Sequence, residues 1–165
     1  MPKSVLAFLL VFPFFTAIAP AASLEGVDVV DAGIYRVDTG AESAEPGTPT
    51  GEVTAVVKAT LLEATDTVPA RLGTEFGFRY EVVGKPAGEA VMLDFVITYP
   101  DKGLHDPASG RTLHESRYSK AKPIASTEYF GYGLENDWEA VPGTWTFEIW
   151  QDGVKFAGRS FTLTK

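Results

Sequence analysis

Apolar and polar positions alternate along most of the chain, and the clearest run lies near its end. Trp145, Phe147 and Ile149 alternate with Thr144, Thr146 and Glu148, the period-two pattern of a half-buried strand. Asp152-Gly153 follows, a pair suited to the positive φ values of a tight hairpin turn. A second strand then places Phe161 and Leu163 on one face and Ser160 and Thr162 on the other. Val141-Pro142-Gly143 supplies a turn before the hairpin, because proline presets φ and glycine accepts left-handed backbone. A lone hairpin is marginal in water, so earlier strands must cover this apolar face.

Those strands are readable upstream. The segment V-D-V-V-D-A-G-I-Y-R-V, beginning at Val27, predicts a first strand, with a bulge or a close backbone approach at Gly33. Asp38–Gly51 is rich in glycine, proline and small polar residues and reads as a flexible loop. Val53, Ala55, Val57, Ala59 and Leu61 predict an apolar strand face. Phe76, Phe78, Tyr80 and Val82 point one way in the next strand, and Val91, Leu93, Phe95, Ile97 and Tyr99 in the one after. The short turn around Gly84–Gly88 predicts that these two pair antiparallel. Pro100–Ser126 is polar and turn-rich, with an edge strand expected near Thr112–Tyr118, and a further strand is expected over Thr127–Leu134. No stretch after the first two dozen residues has a three-to-four apolar period, so no substantial helix is expected. The pattern amounts to about seven to eight short strands, that of an immunoglobulin-like antiparallel β-sandwich. A small β-barrel is the alternative.

The beginning of the chain follows a different pattern. Lys3 precedes an apolar run from Val5 to Ile18, and small residues surround Ala19-Pro20-Ala21. This is the form of a secretory signal peptide over residues 1–21, followed by one domain over 22–165. A membrane anchor fits less well, because Pro13 interrupts a short apolar run and no charged flank follows. A periplasmic or secreted location is therefore expected, without stable membrane insertion after cleavage. The chain has no cysteine, so an exported domain would be held by its core alone. The formal net charge of −8 argues against nucleic acid as a partner, since that needs basic patches.

Several motifs carry a resemblance. They are G-I-Y-R from Gly33, D-T-V-P-A-R-L-G-T-E-F-G-F-R-Y-E-V from Asp66, W-E-A-V-P-G-T-W-T-F-E-I-W-Q-D-G from Trp138, and the closing S-F-T-L. Together these resemble a bacterial family known as a domain of unknown function, number 3859. The resemblance spans nearly the whole chain after the leader. It implies an exported all-β domain with no assigned activity and no catalytic residues to carry over.

Candidate chemistry is sparse. His105 and His114 are each followed by a carboxylate, but adjacent residues of a strand point to opposite faces and would not chelate together. Serines near the histidines lack the strand-turn-helix elbow of a hydrolase nucleophile. Glu135, Asp137 and Glu139 lack the spacing and pivot glycine of a calcium loop and read as a solvated acidic loop. No catalytic residue, metal site or cofactor is expected, and the chain reads as a non-enzyme. Aromatic residues remain. Tyr118, Tyr129 and Tyr132, with Trp150 flanking them, are the expected contact site, because tyrosine offers apolar area, a hydroxyl and few rotatable bonds. The expected role is an exported binding module for a protein partner. Binding of a glycan or small ligand through exposed aromatics is the alternative, and a hydrolase comes third. If the leader is read correctly, intact-mass measurement of the exported protein will give a chain beginning near Ala22. A full-length chain retained in the membrane would refute that reading.

Overall fold

Large apolar side chains on alternate positions of many strands can be buried only if two sheets face each other. The computed structural model describes residues 21–165; the expected leader, apart from Ala21, lies outside the described residues. The strands are β1 (Ser23–Ala44), β2 (Glu52–Glu63), β3 (Thr67–Pro69), β4 (Glu75–Lys85), β5 (Ala90–Thr98), β6 (Leu104–His105), β7 (Thr112–Leu113), β8 (Glu115–Pro123), β9 (Thr127–Gly133), β10 (Gly143–Gln151) and β11 (Val154–Thr164). A 3₁₀ turn spans Asp137–Glu139. One sheet has the order β2-β1-β4-β9 and the other β3-β11-β10-β5-β8, while β6 and β7 form a small separate pair. Both main sheets are open, so the architecture is a sandwich and not a closed barrel. Neighbouring strands run antiparallel except for the short β3, which pairs parallel with β11. Among the described residues nine strands build the two main sheets, more than the pattern of long runs indicates, because β3 is too short to show a period.

The core is aromatic. Trp145 is fully buried, and Phe76, Tyr99 and Tyr132 stand against its ring at 5.4, 4.9 and 5.1 Å between centroids. Its indole N–H donates to the Val141 carbonyl at 3.1 Å, which satisfies the one polar atom that burial would otherwise strand. Phe147 and Phe161 close the same cluster edge-on to Phe76. The β10–β11 turn has φ of 48° at Asp152 and 78° at Gly153, as the hairpin sequence predicts.

Three expectations are corrected. First, β4 and β5 do not pair; they lie in opposite sheets. Both bury a full row of large residues, and these rows meet across the core, as Tyr80 and Phe95 do at 6.1 Å. Second, only Glu45–Gly51 of the expected flexible loop is a turn; Asp38–Ala44 is strand, with Asp38 opposite Lys58 and Ala44 opposite Glu52. These residues look like a loop because the ladder is made of backbone groups, while the side chains are exposed. Third, β2 is not a core strand. β1 runs out of its pairing with β4 at Tyr35, and beyond that point β1 and β2 leave the sandwich as a two-stranded arm. Val57 is 73% exposed and Leu62 58%, both at shifts of register in the β1–β2 ladder.

The expected phase of β10 is observed. Trp145, Phe147 and Ile149 are fully buried, whereas Trp150 is half-buried. Trp145→Ala is expected to lower unfolding free energy by about 3–5 kcal/mol through the cavity it leaves, and Trp150→Ala by about 1 kcal/mol or less. Chemical denaturation of both variants checks this, and equal losses would refute the burial difference.

Candidate functional site

The arm does not hang free. Its turn reaches the edge of the opposite sheet, where Lys120 of β8 donates to Ser43 Oγ at 3.2 Å and stands 3.6 Å from the Glu45 carboxylate. Arg111 donates to the Pro46 carbonyl at 3.3 Å. Gly47 lies so near β8 that a Cβ there would stand 2.5 Å from the Arg117 carbonyl oxygen. Thr48 holds the turn's shape by donating its hydroxyl to the Glu45 and Glu52 carbonyls at 2.9 and 3.0 Å. The arm is thus a strap fixed at both ends.

Beneath it lies a cleft of about 740 Å³. All seven residues of β9 line it, as does the uninterrupted run from Glu52 to Ala59 of β2. Consecutive residues of a strand point to opposite faces, so a cavity touching all of them sees the strand's edge. β9 and β2 are the two outer strands of their sheet, and β8, which also borders the cleft, is an outer strand of the other. Phe95 and Ile97 of β5 form part of the floor.

Tyr118, Tyr129 and Tyr132 all line this cleft, although they stand on strands β8 and β9 and not on loops. Each is half-buried, and burial raises each phenol above its usual range. Tyr118 stacks on Phe95 at 5.4 Å. Tyr129 packs against Tyr35 at 4.8 Å on the outer side of its sheet, over a row where Gly33, Gly77 and Gly131 are paired across three strands. A Cβ on Gly131 would collide with the Tyr129 hydroxyl, so this glycine is what lets the ring lie down. Trp150 is not part of the group. It stands on β10, which β5 separates from β8 within one sheet, its indole N–H donates to Glu148 at 3.1 Å, and Lys155 caps its ring at 5.9 Å.

Two carboxylates join the tyrosines, Glu139 as a correction to the acidic-loop reading and Glu75 as an addition to it. Glu139 is not solvated but 1% exposed. It accepts from the Tyr132 hydroxyl at 2.7 Å, the Glu135 and Asn136 backbone N–H groups at 2.9 and 2.7 Å, and the Asn136 amide at 3.2 Å. Four donors around one carboxylate repay its desolvation and fix the 3₁₀ turn at the end of the cleft. The spacing Asn136 to Glu139 is that of a capping box, which was the available signal. Glu75, on β4, accepts from the Tyr129 hydroxyl at 2.9 Å. Burial, opposed by that hydrogen bond and aided by the nearby Glu135 charge, pushes its carboxyl up to about 7. By contrast Asp31 is held below the usual carboxylate range by Arg79, which donates to it through Nε at 2.9 Å.

The family described as a domain of unknown function (DUF3859) matches residues 24–163. The chain belongs to this family. Among solved structures, an immunoglobulin-like protein of Pseudomonas aeruginosa is similar with a TM-score of 0.61 and 23% identity, over 86% of this chain and 99% of that one. That likeness shows the fold. No curated protein matches the DUF3859 chain. Among the described residues no group of three or more His, Cys, Asp or Glu side chains is placed to hold a metal ion.

The Glu75 shift has a direction that can be tested. Its carboxyl is raised when folded, so between the ordinary value of 4.5 and about 7 the folded chain holds a proton that the unfolded chain has lost. Stability therefore falls as pH rises through that window and levels off above it. Urea unfolding between pH 4 and pH 8 is expected to show this decline, and Glu75→Gln to flatten it. An equal decline in the variant would refute the assignment.

Proposed function

We propose that the chain is a non-catalytic exported module that binds a protein partner in the strapped cleft. One observation carries this reading: a cavity of about 740 Å³ bounded by three strand edges brings Tyr118, Tyr129 and Tyr132 together. Its size is that of a ligand site, and unpaired strand edges are surfaces that other chains recognise. The ring faces weigh against a sugar, which stacks on a free aromatic face. Here Tyr118 is stacked on Phe95, and Tyr129 and Tyr132 lean against Tyr35 and Trp145. Glu139 lends no support to hydrolysis, since it is consumed by four donors, and neither histidine borders the cleft. Export rests on the charged, apolar and small-residue segments of positions 1–21.

A photo-crosslinking amino acid at Ala121, which is exposed and borders the cleft, tests this in cells. It is expected to give one discrete protein adduct, while the same group at Trp150 gives none. Adducts of equal yield at both positions, or none at Ala121, would overturn the reading.

A further inference from the structure

Resting on that reading of the cleft, the nature of its occupant follows from the strand edges. β9 pairs with β4 over its whole length without a shift of register, so its free side is a regular row of N–H and C=O groups. β2 is a poorer template, because its ladder with β1 is interrupted between Asp38 and Thr39 and again between Thr39 and Glu42. The senses of the strands separate the two edges further. β1 is antiparallel to both β2 and β4, and β4 is antiparallel to β9. β9 and β2 therefore run in opposite senses, and an inserted strand can be antiparallel to only one of them. Antiparallel pairing is the stronger kind, and β9 has the regular edge.

The two sides of such a strand would meet different chemistry. On the core side of β9 stand Phe130 and, across the cleft, Tyr118 and Phe95, which suits apolar side chains. On the outer side Gly131 and Gly133 carry no side chain of their own. The space above them holds the Tyr129 hydroxyl and the Glu75 carboxylate, with Glu135 also bordering the cleft. Neither carboxylate is in an ion pair among the described residues, whereas Lys122 and Lys120, at the other end, are paired with Glu128 and Glu45. The unpaired groups at this end are acids, with Glu75 ionising as pH rises past about 7.

We propose that the cleft takes an extended peptide strand of alternating apolar and basic residues, hydrogen-bonded antiparallel to the free edge of β9 beneath the β1–β2 arm. The apolar residues face Tyr118 and Phe95, and a lysine or arginine stands beside Gly131 and Gly133, reaching the Glu75 and Glu135 carboxylates. This is strand addition in a site already roofed by the host's own hairpin.

The probe is a capped heptapeptide alternating valine and lysine, titrated into the isotope-labelled purified chain and followed by backbone amide resonances. Saturable shifts are expected at Thr127–Gly133, with slower amide exchange along β9. Two N-methylated versions separate the edges, one methylated at the valines and the other at the lysines. Each blocks the donors on one side of the strand, so one of them is expected to bind about tenfold more weakly or worse. Glutamate in place of lysine is expected to weaken binding by a similar factor of about ten, and Glu75→Gln to narrow that gap while the variant keeps its native spectrum. If both methylated peptides bind like the parent, or the shifts fall away from β9, the proposal is overturned. So it is if a linear glucan hexasaccharide shifts the β9 amides and the peptide does not. An adduct at Ala121 in cells combined with failure of the peptide would overturn strand addition alone and leave the cleft as the partner site.

Discussion

Everything in this fold depends on burying one aromatic cluster without covalent help. Trp145, Phe76, Phe147 and Phe161 meet edge-on between the sheets, and the chain has no cysteine to hold the sheets together otherwise. Edge-on packing suits rings whose faces are negative and whose rims are positive. It also sets the separation of the sheets, and so the depth available at their open side. There β8 and β9 part to follow different sheets, and the cleft opens where no further strand fills the gap.

The strands that feed this cluster were legible because each buries one face and wets the other. Trp145, Phe147 and Ile149 announce their phase, and Asp152-Gly153 announces the turn between β10 and β11. Partners were less legible than strands. Phe76–Val82 and Val91–Tyr99 look like a hairpin from a short connection, yet a short turn can also carry the chain from one sheet to the other. Only the need for both rows to be covered, seen in three dimensions, separates the two outcomes. The arm was hidden for the opposite reason. Asp38–Ala44 has no buried face, and backbone pairing leaves no trace in side-chain polarity.

The candidate site was half legible. Tyr118, Tyr129 and Tyr132 stood out as a group by their spacing in a polar region, and they do share one cavity. Trp150 falls out of phase with the core, as an exposed contact residue would, but out of phase on β10 means the outer face of its sheet, away from the cleft. Glu75 could not be found from its neighbours in the chain. It sits at the start of a core strand, and it matters only because Tyr129, 54 residues away, donates to it. Glu139 read as one more acid in an acidic loop, although its spacing from Asn136 marked a cap.

The length of β1 has a mechanical consequence. Its first part is zipped into the sheet between Ser23 and Tyr35, beside β4, and its second part is one rail of the roof, so scaffold and strap share a single uninterrupted backbone. Ladder bonds lie across the strands they join. A tug on the roof along its length would therefore load the β1–β4 bonds side by side, all at once, where a tug on a separate flap would peel its hinge one bond at a time. The roof is anchored in shear, and whatever is held beneath it could bear a pull without the sandwich coming undone from that end.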